Sequence, residues 1–224
     1  MSVSGKAIYD FFISQGYNHA YPRGHVICFQ GDKFNQVFMV MSGIVKFYDI
    51  DGAGSERTIS FFAHPDVFPV IWLLSEPPPG QLYYYEAVAD TTCLIAPASE
   101  ARAFIASNPG ALLMILDSLT QTYINLIGRV QNLERSHLGE KLAFVLYWLA
   151  QRIGTIDGQV ARIDAIITQE DIARLAGVTR ESMSLAINKM GSDVLWREKH
   201  STYINLSKLS LNSMPTIYPR DLGS

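Results

Sequence analysis

A regular apolar stripe between residues 112 and 133 constrains the fold more than any other feature. Its members follow one another at alternating steps of four and three residues: Leu112, Leu116, Leu119, Tyr123, Leu126, Val130 and Leu133. This spacing is the heptad pattern of a coiled coil. Pro109 suits the first turn of such a helix. The pattern therefore predicts a single helix of about 25 residues, which is long for a globular protein.

Two interpretations of this stripe are open. The helix could pack against its own domain, or it could pair in parallel with its copy across a homodimer axis. A strict heptad stripe is narrower than the apolar face of a helix that packs into a globular core. We therefore favour the homodimer and treat residues 109–136 as a dimerisation helix.

Residues 20–98 have the composition of a β-domain. β-Branched and aromatic residues are frequent, and glycines recur at turn-like positions: Gly24, Gly31, Gly43, Gly52 and Gly54. The segment 37–62 predicts three strands separated by two turns. An amphipathic helix, about Lys6 to Gln15, precedes them. Several short strands at this spacing indicate an antiparallel barrel or roll, jelly-roll-like, within residues 1–108.

The segment 167–190 predicts two helices joined by a tight turn. It reads ITQEDIARLAGVTRESMSLAINKM. Thr168 suits the first N-cap because Asp171 follows three residues later, and Thr179 suits the second. Gly177 supplies a left-handed turn residue between them. This is the layout of a helix-turn-helix, in which the second helix enters the major groove of DNA. An ordinary helical hairpin is the alternative.

The second helix carries a polar face that suits base reading. Arg180 can donate a bidentate hydrogen bond to O6 and N7 of guanine, and Glu181 can accept a hydrogen bond from N4 of cytosine. The alternative is a solvated face with a local Arg–Glu pair. Two short strands around the charged turn 197–200, which reads Arg-Glu-Lys-His, follow and predict a wing. The predicted DNA contacts are Thr168, Gln169, Thr179, Arg180, Glu181, Ser182, Ser184, Leu185, Asn188, Lys189, Lys199 and His200.

Composition and charge exclude several classes of protein. The chain of 224 residues is 48% hydrophobic and 17% charged, so it can bury a core. A net charge of −3 excludes a uniformly basic nucleic-acid coat. Residues 1–136 hold 8 basic and 12 acidic side chains, whereas residues 137–224 hold 10 and 9. A polyanion would therefore sit in the C-terminal part. We expect a cytoplasmic protein without a membrane span or a signal peptide.

Enzymatic and metal chemistry have little support in the sequence. Cys28 and Cys93 are too few for a disulfide framework or a four-cysteine metal site. The histidines lack ligand spacing, and neither a P-loop nor a nucleophile elbow is visible. We expect no enzyme and no metal. Haem is not excluded, because one His or Cys can serve as an axial ligand, although His64 and Cys93 are not favoured for that role.

The whole chain resembles the Crp/Fnr family of bacterial transcription regulators. The segment 167–190 is similar to the recognition motif of that family, including its Arg-Glu pair at Arg180 and Glu181. The segment 21–48 resembles the opening of its β-roll sensor domain, with Gly24, Gly31 and Gly43 at the usual glycines. The resemblance implies a roll, a dimer helix and a winged helix-turn-helix. It also implies a palindromic DNA operator and RNA polymerase as partners.

Departures from the family pattern concern the effector and the operator. Leu185 stands where many members carry a second arginine on the recognition helix. Pro69 stands where cyclic-nucleotide members have a glycine in their phosphate loop, and no arginine or lysine lies between Arg57 and Arg102. We therefore expect an effector other than a cyclic nucleotide. An apolar pocket is the expected site, lined by Phe68, Trp72, Tyr83, Tyr84 and Tyr85, although such residues are often core.

The sequence thus predicts an α+β chain of three parts, with residues 1–108, 109–136 and 137–224 as roll, dimer helix and winged helix-turn-helix. Its predicted function is sequence-specific DNA binding as a homodimeric regulator, with an unidentified effector. The alternative is a ligand-binding or protein-interaction module with a degenerate helix-turn-helix that does not read DNA.

Overall fold

A computed structural model describes residues 3–33, 35–74 and 79–209. Contacts divide the chain into two compact units. The first comprises Met1–Asp49 and Ser60–Thr122, and the second comprises Ile50–Ile59 and Tyr123–Ser224. The predicted boundaries at 108 and 136 fall between helices, but these compact units do not follow them. The long helix is shared between the units, and a short segment of the β-region belongs to the second.

The N-terminal half forms an antiparallel roll with flanking helices. Its elements are α1 (Val3–Gln15), β1 (Tyr17–Tyr21), β2 (Val26–Cys28), β3 (Gln36–Ser42), β4 (Ile44–Ile50), β5 (Glu56–Ala63), β6 (Val67–Phe68), α2 (Ile71–Leu74), β7 (Tyr84–Ala87), β8 (Thr91–Pro97) and α3 (Ala98–Ser107). The strands make two four-stranded sheets, ordered β1-β8-β3-β6 and β2-β7-β4-β5. This architecture confirms the predicted roll.

Alternating side chains of strand β3 divide the roll's core into two layers. Phe38 and Val40 point into a cluster between the two sheets, which also holds residues from β2, β4, β7 and β8. Val37 and Met39 point to the opposite face, where α1, α2 and α3 cover the first sheet. A strand buried on both faces reads as a nearly continuous apolar run, and β3 has that composition.

The C-terminal half begins with the long helix and ends in a winged helix-turn-helix. Its elements are α4 (Pro109–Leu133), α5 (Leu138–Ile153), β9 (Thr155–Asp157), β10 (Val160–Ile163), α6 (Gln169–Ala176), α7 (Arg180–Met190), β11 (Leu195–Glu198), β12 (Ser201–Asn205) and a 3-10 turn at Leu206–Lys208. Its sheet has the order β11-β12-β10-β9. Helix α5 supplies much of this core, because its residues from Leu142 to Ala150 are all buried.

Helix α4 is long and apolar enough to cross a membrane by length and composition alone. Only 11% of its most apolar window is buried. A single helix of this kind is weak evidence for a membrane span. Five of its exposed apolar side chains follow the heptad spacing predicted from the sequence, which is typical of coiled coils.

Candidate nucleic-acid interface

Helix α6 begins with a complete capping box. The Thr168 hydroxyl accepts a hydrogen bond from the N–H of Asp171 at 3.1 Å. The Asp171 carboxylate accepts one from the N–H of Thr168 at 2.9 Å. Together they satisfy backbone donors that a helix start leaves without partners. The predicted N-cap is therefore confirmed.

The turn between α6 and α7 is set by one glycine and a second cap. Gly177 has φ 64° and ψ 41°, the left-handed conformation that favours glycine. The Thr179 hydroxyl then accepts a hydrogen bond from the N–H of Ser182 at 3.3 Å. Met183 is fully buried and anchors α7 from beneath. These features fix how α7 leaves the turn, and they confirm the predicted pair of helices.

The outward face of α7 is available to a ligand. Arg180, Glu181, Asn188 and Lys189 are exposed, and Leu185 is 71% exposed. Within the part of the chain that the structure describes, Arg180 forms no ion pair with Glu181. The solvated face of the alternative is present and its local ion pair is not, so base reading by this face stays a prediction. None of the twelve predicted DNA contacts is buried. The structure places them on the starts of α6 and α7, along α7 and at the tip of the wing.

The wing is a two-residue hairpin between β11 and β12. Lys199 and His200 form its tip and are exposed, and Lys199 has φ 52°. Trp196 stacks on Tyr203 with ring centroids 5.3 Å apart. Arg197, which the sequence places in the charged turn, instead donates hydrogen bonds from Nη2 and Nε to the Ile167 carbonyl at 2.6 and 3.1 Å. It holds the wing against the entry to α6.

A cleft of about 650 Å³ lies beside the outward face of α7. Its walls are the start of α5, the side of α7 and Lys208; the lining residues of the two helices are His137, Leu138, Gly139, Glu140, Leu185, Ala186, Lys189 and Met190. The sequence did not indicate the α5 wall. The charges of residues 137–140 do not indicate that they line a cleft, because only tertiary packing brings them next to α7.

The apolar stripe of α4 is mostly exposed. Leu116, Tyr123, Leu126, Val130 and Leu133 are between 42% and 65% exposed. Leu112 and Leu119 differ, because they pack partly buried against the helical side of the roll. Leu113 is 65% exposed, although it does not belong to the heptad series. The exposed surface is therefore one residue broader at its N-terminal end than the heptad spacing predicts.

The five aromatic residues predicted to line an effector pocket do not all lie around one space. Phe68 stacks on Phe38 and on Tyr85, with ring centroids 5.1 and 4.9 Å apart. Tyr84 lies on the other side of its strand and stacks on Tyr48 at 5.1 Å. Trp72 belongs to the helix-covered layer. Tyr83 packs against the same inter-sheet cluster as Phe68 and Tyr85, through its contact with Phe47. This prediction is wrong, because alternation along β7 sends Tyr84 and Tyr85 to opposite faces.

Three cations in or beside the roll are engaged by protein groups. Lys46 is buried and lies 3.4 Å from the Glu86 carboxylate, its cross-strand neighbour. Arg102 donates a hydrogen bond to the Trp72 carbonyl at 3.2 Å. Arg129 of α4 donates to backbone carbonyls of β5. A nucleotide phosphate that used one of these three cations would have to displace the contact that holds it.

The cysteines and His64 also serve the core. Burial raises the pKa of both thiols, that of Cys93 to about 12. They are therefore protonated near neutral pH, and a thiol in that state is a poor metal ligand. The His64 Nδ1 atom lies 3.1 Å from the Val40 carbonyl oxygen. Within the described residues, no cluster of three or more His, Cys, Asp or Glu side chains is placed to hold a metal ion.

Comparison with known proteins fits this geometry. A sequence model of the cyclic nucleotide-binding domain matches residues 18–108, and one of the Crp-like helix-turn-helix domain matches residues 140–210. The chain belongs to the Crp/Fnr family of transcription regulators. The helix-turn-helix match removes the alternative of an ordinary helical hairpin. Crp/Fnr regulators bind DNA and are not enzymes, which agrees with the expectation from the sequence.

Individual Crp/Fnr relatives are distant but cover most of the chain. A global nitrogen regulator of Nostoc sp. is 23% identical over 197 residues, covering 88% of this chain and 86% of its own. A cAMP-activated global regulator of Mycobacterium tuberculosis is 25% identical over 167 residues, covering 75% and 74%. The structure of FixK2 from Bradyrhizobium japonicum superposes with a TM-score of 0.72 at 18% identity, covering 89% of this chain and 96% of its own. That similarity confirms the α+β fold of roll, long helix and winged helix-turn-helix.

Proposed function

We propose that this Crp/Fnr regulator is a homodimer that reads a palindromic DNA operator and acts with RNA polymerase. The observation that carries the proposal is the outward face of α7. Arg180 and Glu181 stand exposed at its first turn, where a recognition helix presents its side chains to base edges. Lys189 lies two turns further along and suits a phosphate contact.

The exposed stripe of α4 supports the homodimer. Six large apolar residues of one helix are exposed within about 30 Å, which is the length of 20 helical residues. A monomer rarely exposes a continuous apolar surface of this kind. A parallel pair of α4 helices would bury it and would present two α7 helices to adjacent major grooves.

We also propose that the roll does not respond to cyclic nucleotides. A phosphodiester in a partly closed pocket needs a fixed cation or several backbone N–H donors. The stretch between Arg57 and Arg102 has neither lysine nor arginine and holds five acidic residues. Pro69 removes one backbone donor. Arg129, the candidate cation from outside that stretch, is hydrogen-bonded to protein carbonyls.

The test of DNA reading is selection of duplexes from a random library, followed by titration of the selected duplex by fluorescence anisotropy. We expect a two-fold symmetric sequence and an affinity that falls steeply with salt, because phosphate contacts release counterions. Light scattering should give a dimer. A protein that selects no sequence would instead support the ligand-binding or protein-interaction module with a degenerate helix-turn-helix.

A further inference from the structure

The segment 50–59, the connecting end of the β4–β5 hairpin, belongs to the same compact unit as the helix-turn-helix. Asp51 orders its turn. One carboxylate oxygen accepts hydrogen bonds from the N–H groups of Ala53 and Ser55 at 2.9 Å, and the other accepts one from Arg57 at 2.9 Å. The backbone hydrogen bonds lower the pKa of Asp51 below its usual range. The segment therefore has a defined shape to present to its neighbours.

The first attachment of this segment is Arg129 of α4. Its guanidinium donates hydrogen bonds to the carbonyls of Ile59 and Thr58, the latter at 3.1 Å. The same group lies 5.4 Å from the ring centroid of Trp148 in α5. One arginine thus joins the start of β5 to the dimer helix and to the first helix of the C-terminal domain.

The second attachment is an ion pair with the helix-turn-helix itself. The Glu56 carboxylate lies 2.9 Å from Nη1 of Arg174, in the last turn of α6. The Nε atom of Arg174 lies 3.2 Å from Glu170, one turn earlier in α6. The side chains of Glu56 and Arg174 are 20% and 30% exposed. An ion pair this shielded is screened less by salt than one on an open surface.

We propose that Glu56 is a positioning residue for DNA reading, which rests on the proposed function. It holds α6, and with it the packed helix α7, in one orientation relative to α4. In a dimer, the orientation of α7 relative to α4 sets the separation of the two reading helices, which must match half-sites one helical turn apart. A protein without the ion pair would have to fix this orientation when it binds, and the second half-site would be engaged at a lower effective concentration.

The variant Glu56→Gln tests this inference because it removes the charge and keeps the shape. Its affinity is measured by anisotropy on the duplex that the wild type selects, and on the same duplex with one half-site scrambled. We expect a loss of about fivefold on the complete duplex. On the single half-site, and in the slope against salt, we expect no loss, because Glu56 touches no DNA.

The matched control is Glu170→Gln, which removes the other carboxylate beside Arg174 with the same change of charge. It should leave the affinity for the complete duplex within about twofold, since a helical (i, i+4) pair on a surface contributes little. A general effect of lost negative charge would appear in both variants. Thermal melting checks that each variant is folded at the assay temperature.

A charge exchange provides the rescue. The double variant Glu56→Arg with Arg174→Glu is made together with Glu170→Gln, because Arg174→Glu would otherwise face the Glu170 carboxylate. In that background it should recover most of the affinity for the complete duplex that each single reversal loses. Equal affinities of wild type and Glu56→Gln on that duplex would overturn the inference, as would equal losses on both duplexes. If the wild type selects no duplex, the proposed function fails as well, so the two failures are distinguishable.

Discussion

The side chain of Leu133 lies directly over the backbone of Gly177. A Cβ atom on Gly177 would stand 2.5 Å from Cδ2 of Leu133. The end of α4 and the turn of the helix-turn-helix thus meet in a close contact, where a larger residue would require the leucine side chain to shift. The positive φ of Gly177 and this contact are two separate reasons for glycine.

We expect Gly177→Ala to lower the free energy of unfolding by about 1–2 kcal/mol, since alanine is strained in the left-handed region. Gly158→Ala is the matched control, because Gly158 has φ 56° and a Cβ atom added there would meet nothing within 4 Å. Urea denaturation measures both. If Gly177→Ala loses more unfolding free energy than Gly158→Ala, the difference gives the cost of the contact with Leu133. In a double-mutant cycle, Leu133→Ala should remove that difference. Equal losses would show that the leucine moves aside.

The substitution Leu126→Asp should produce monomers. An aspartate in the middle of the exposed stripe would have to give up its hydration in the dimer without gaining a partner. Operator affinity should fall as well, because two half-sites are no longer held together. Gln121→Asp is the control, since Gln121 is exposed on α4 but lies off the stripe. Sedimentation decides the matter, and a dimeric Leu126→Asp protein would place the interface elsewhere.

The two cations of α7 should differ in what they recognise. We expect Arg180→Ala to lose roughly 1–3 kcal/mol on the selected duplex and little on random DNA, since a bidentate guanine contact carries discrimination. Lys189→Ala should weaken both alike, as a phosphate contact does. Anisotropy titrations on the two DNAs separate these roles. Equal losses for Arg180→Ala would make Arg180 a backbone contact.

Leu185 should change the preferred base pair where many relatives place an arginine. Its side chain is 71% exposed on the outward face of α7 and cannot donate a hydrogen bond. It can contact the methyl group of thymine. We expect Leu185→Arg to shift the selected half-site toward guanine at one base pair, and Leu185→Ala to lose preference there. Selection from a random library with each variant measures this, and an unchanged half-site would place Leu185 outside the groove.

Cyclic AMP or cyclic GMP at millimolar concentration should leave the melting temperature and the DNA affinity unchanged. A ligand at 100 times its dissociation constant would stabilise the protein by about 2.7 kcal/mol, which a thermal shift detects easily. The expectation follows from the acidic stretch between Arg57 and Arg102 and from the engagement of Arg129. Calorimetric binding at micromolar affinity would contradict it.

Local signals in the sequence predicted the helix-turn-helix and the long helix well. The caps at Thr168 and Thr179 and the turn at Gly177 depend on neighbours a few residues away, so the sequence contains them directly. Burial on strand β4 is a different case, because it does not follow the strict alternation of a half-buried strand. Val45 and Lys46 are both buried, and Lys46 pairs with Glu86 on a neighbouring strand.

Long-range contacts account for what the sequence could not predict. The five aromatic residues of the expected effector pocket are close in sequence, but strand alternation and helix α2 distribute them among different layers. The ion pair between Glu56 and Arg174 joins residues on distant elements, and no spacing rule indicates it. The heptad stripe could predict that α4 is amphipathic, but not that the roll covers Leu112 and Leu119.

The stack of Trp196 on Tyr203 makes the wing an optical reporter. The other two indoles, Trp72 and Trp148, are each 2% exposed, whereas Trp196 lies partly open on β11. A neutral quencher such as acrylamide should therefore act mainly on Trp196. Binding of a duplex across the wing would shield that indole, so quenching measured with and without DNA follows wing contact in unlabelled protein. A change in the tryptophan fluorescence of Trp196 on addition of an effector, without a change from the two buried indoles, would report movement of the wing itself.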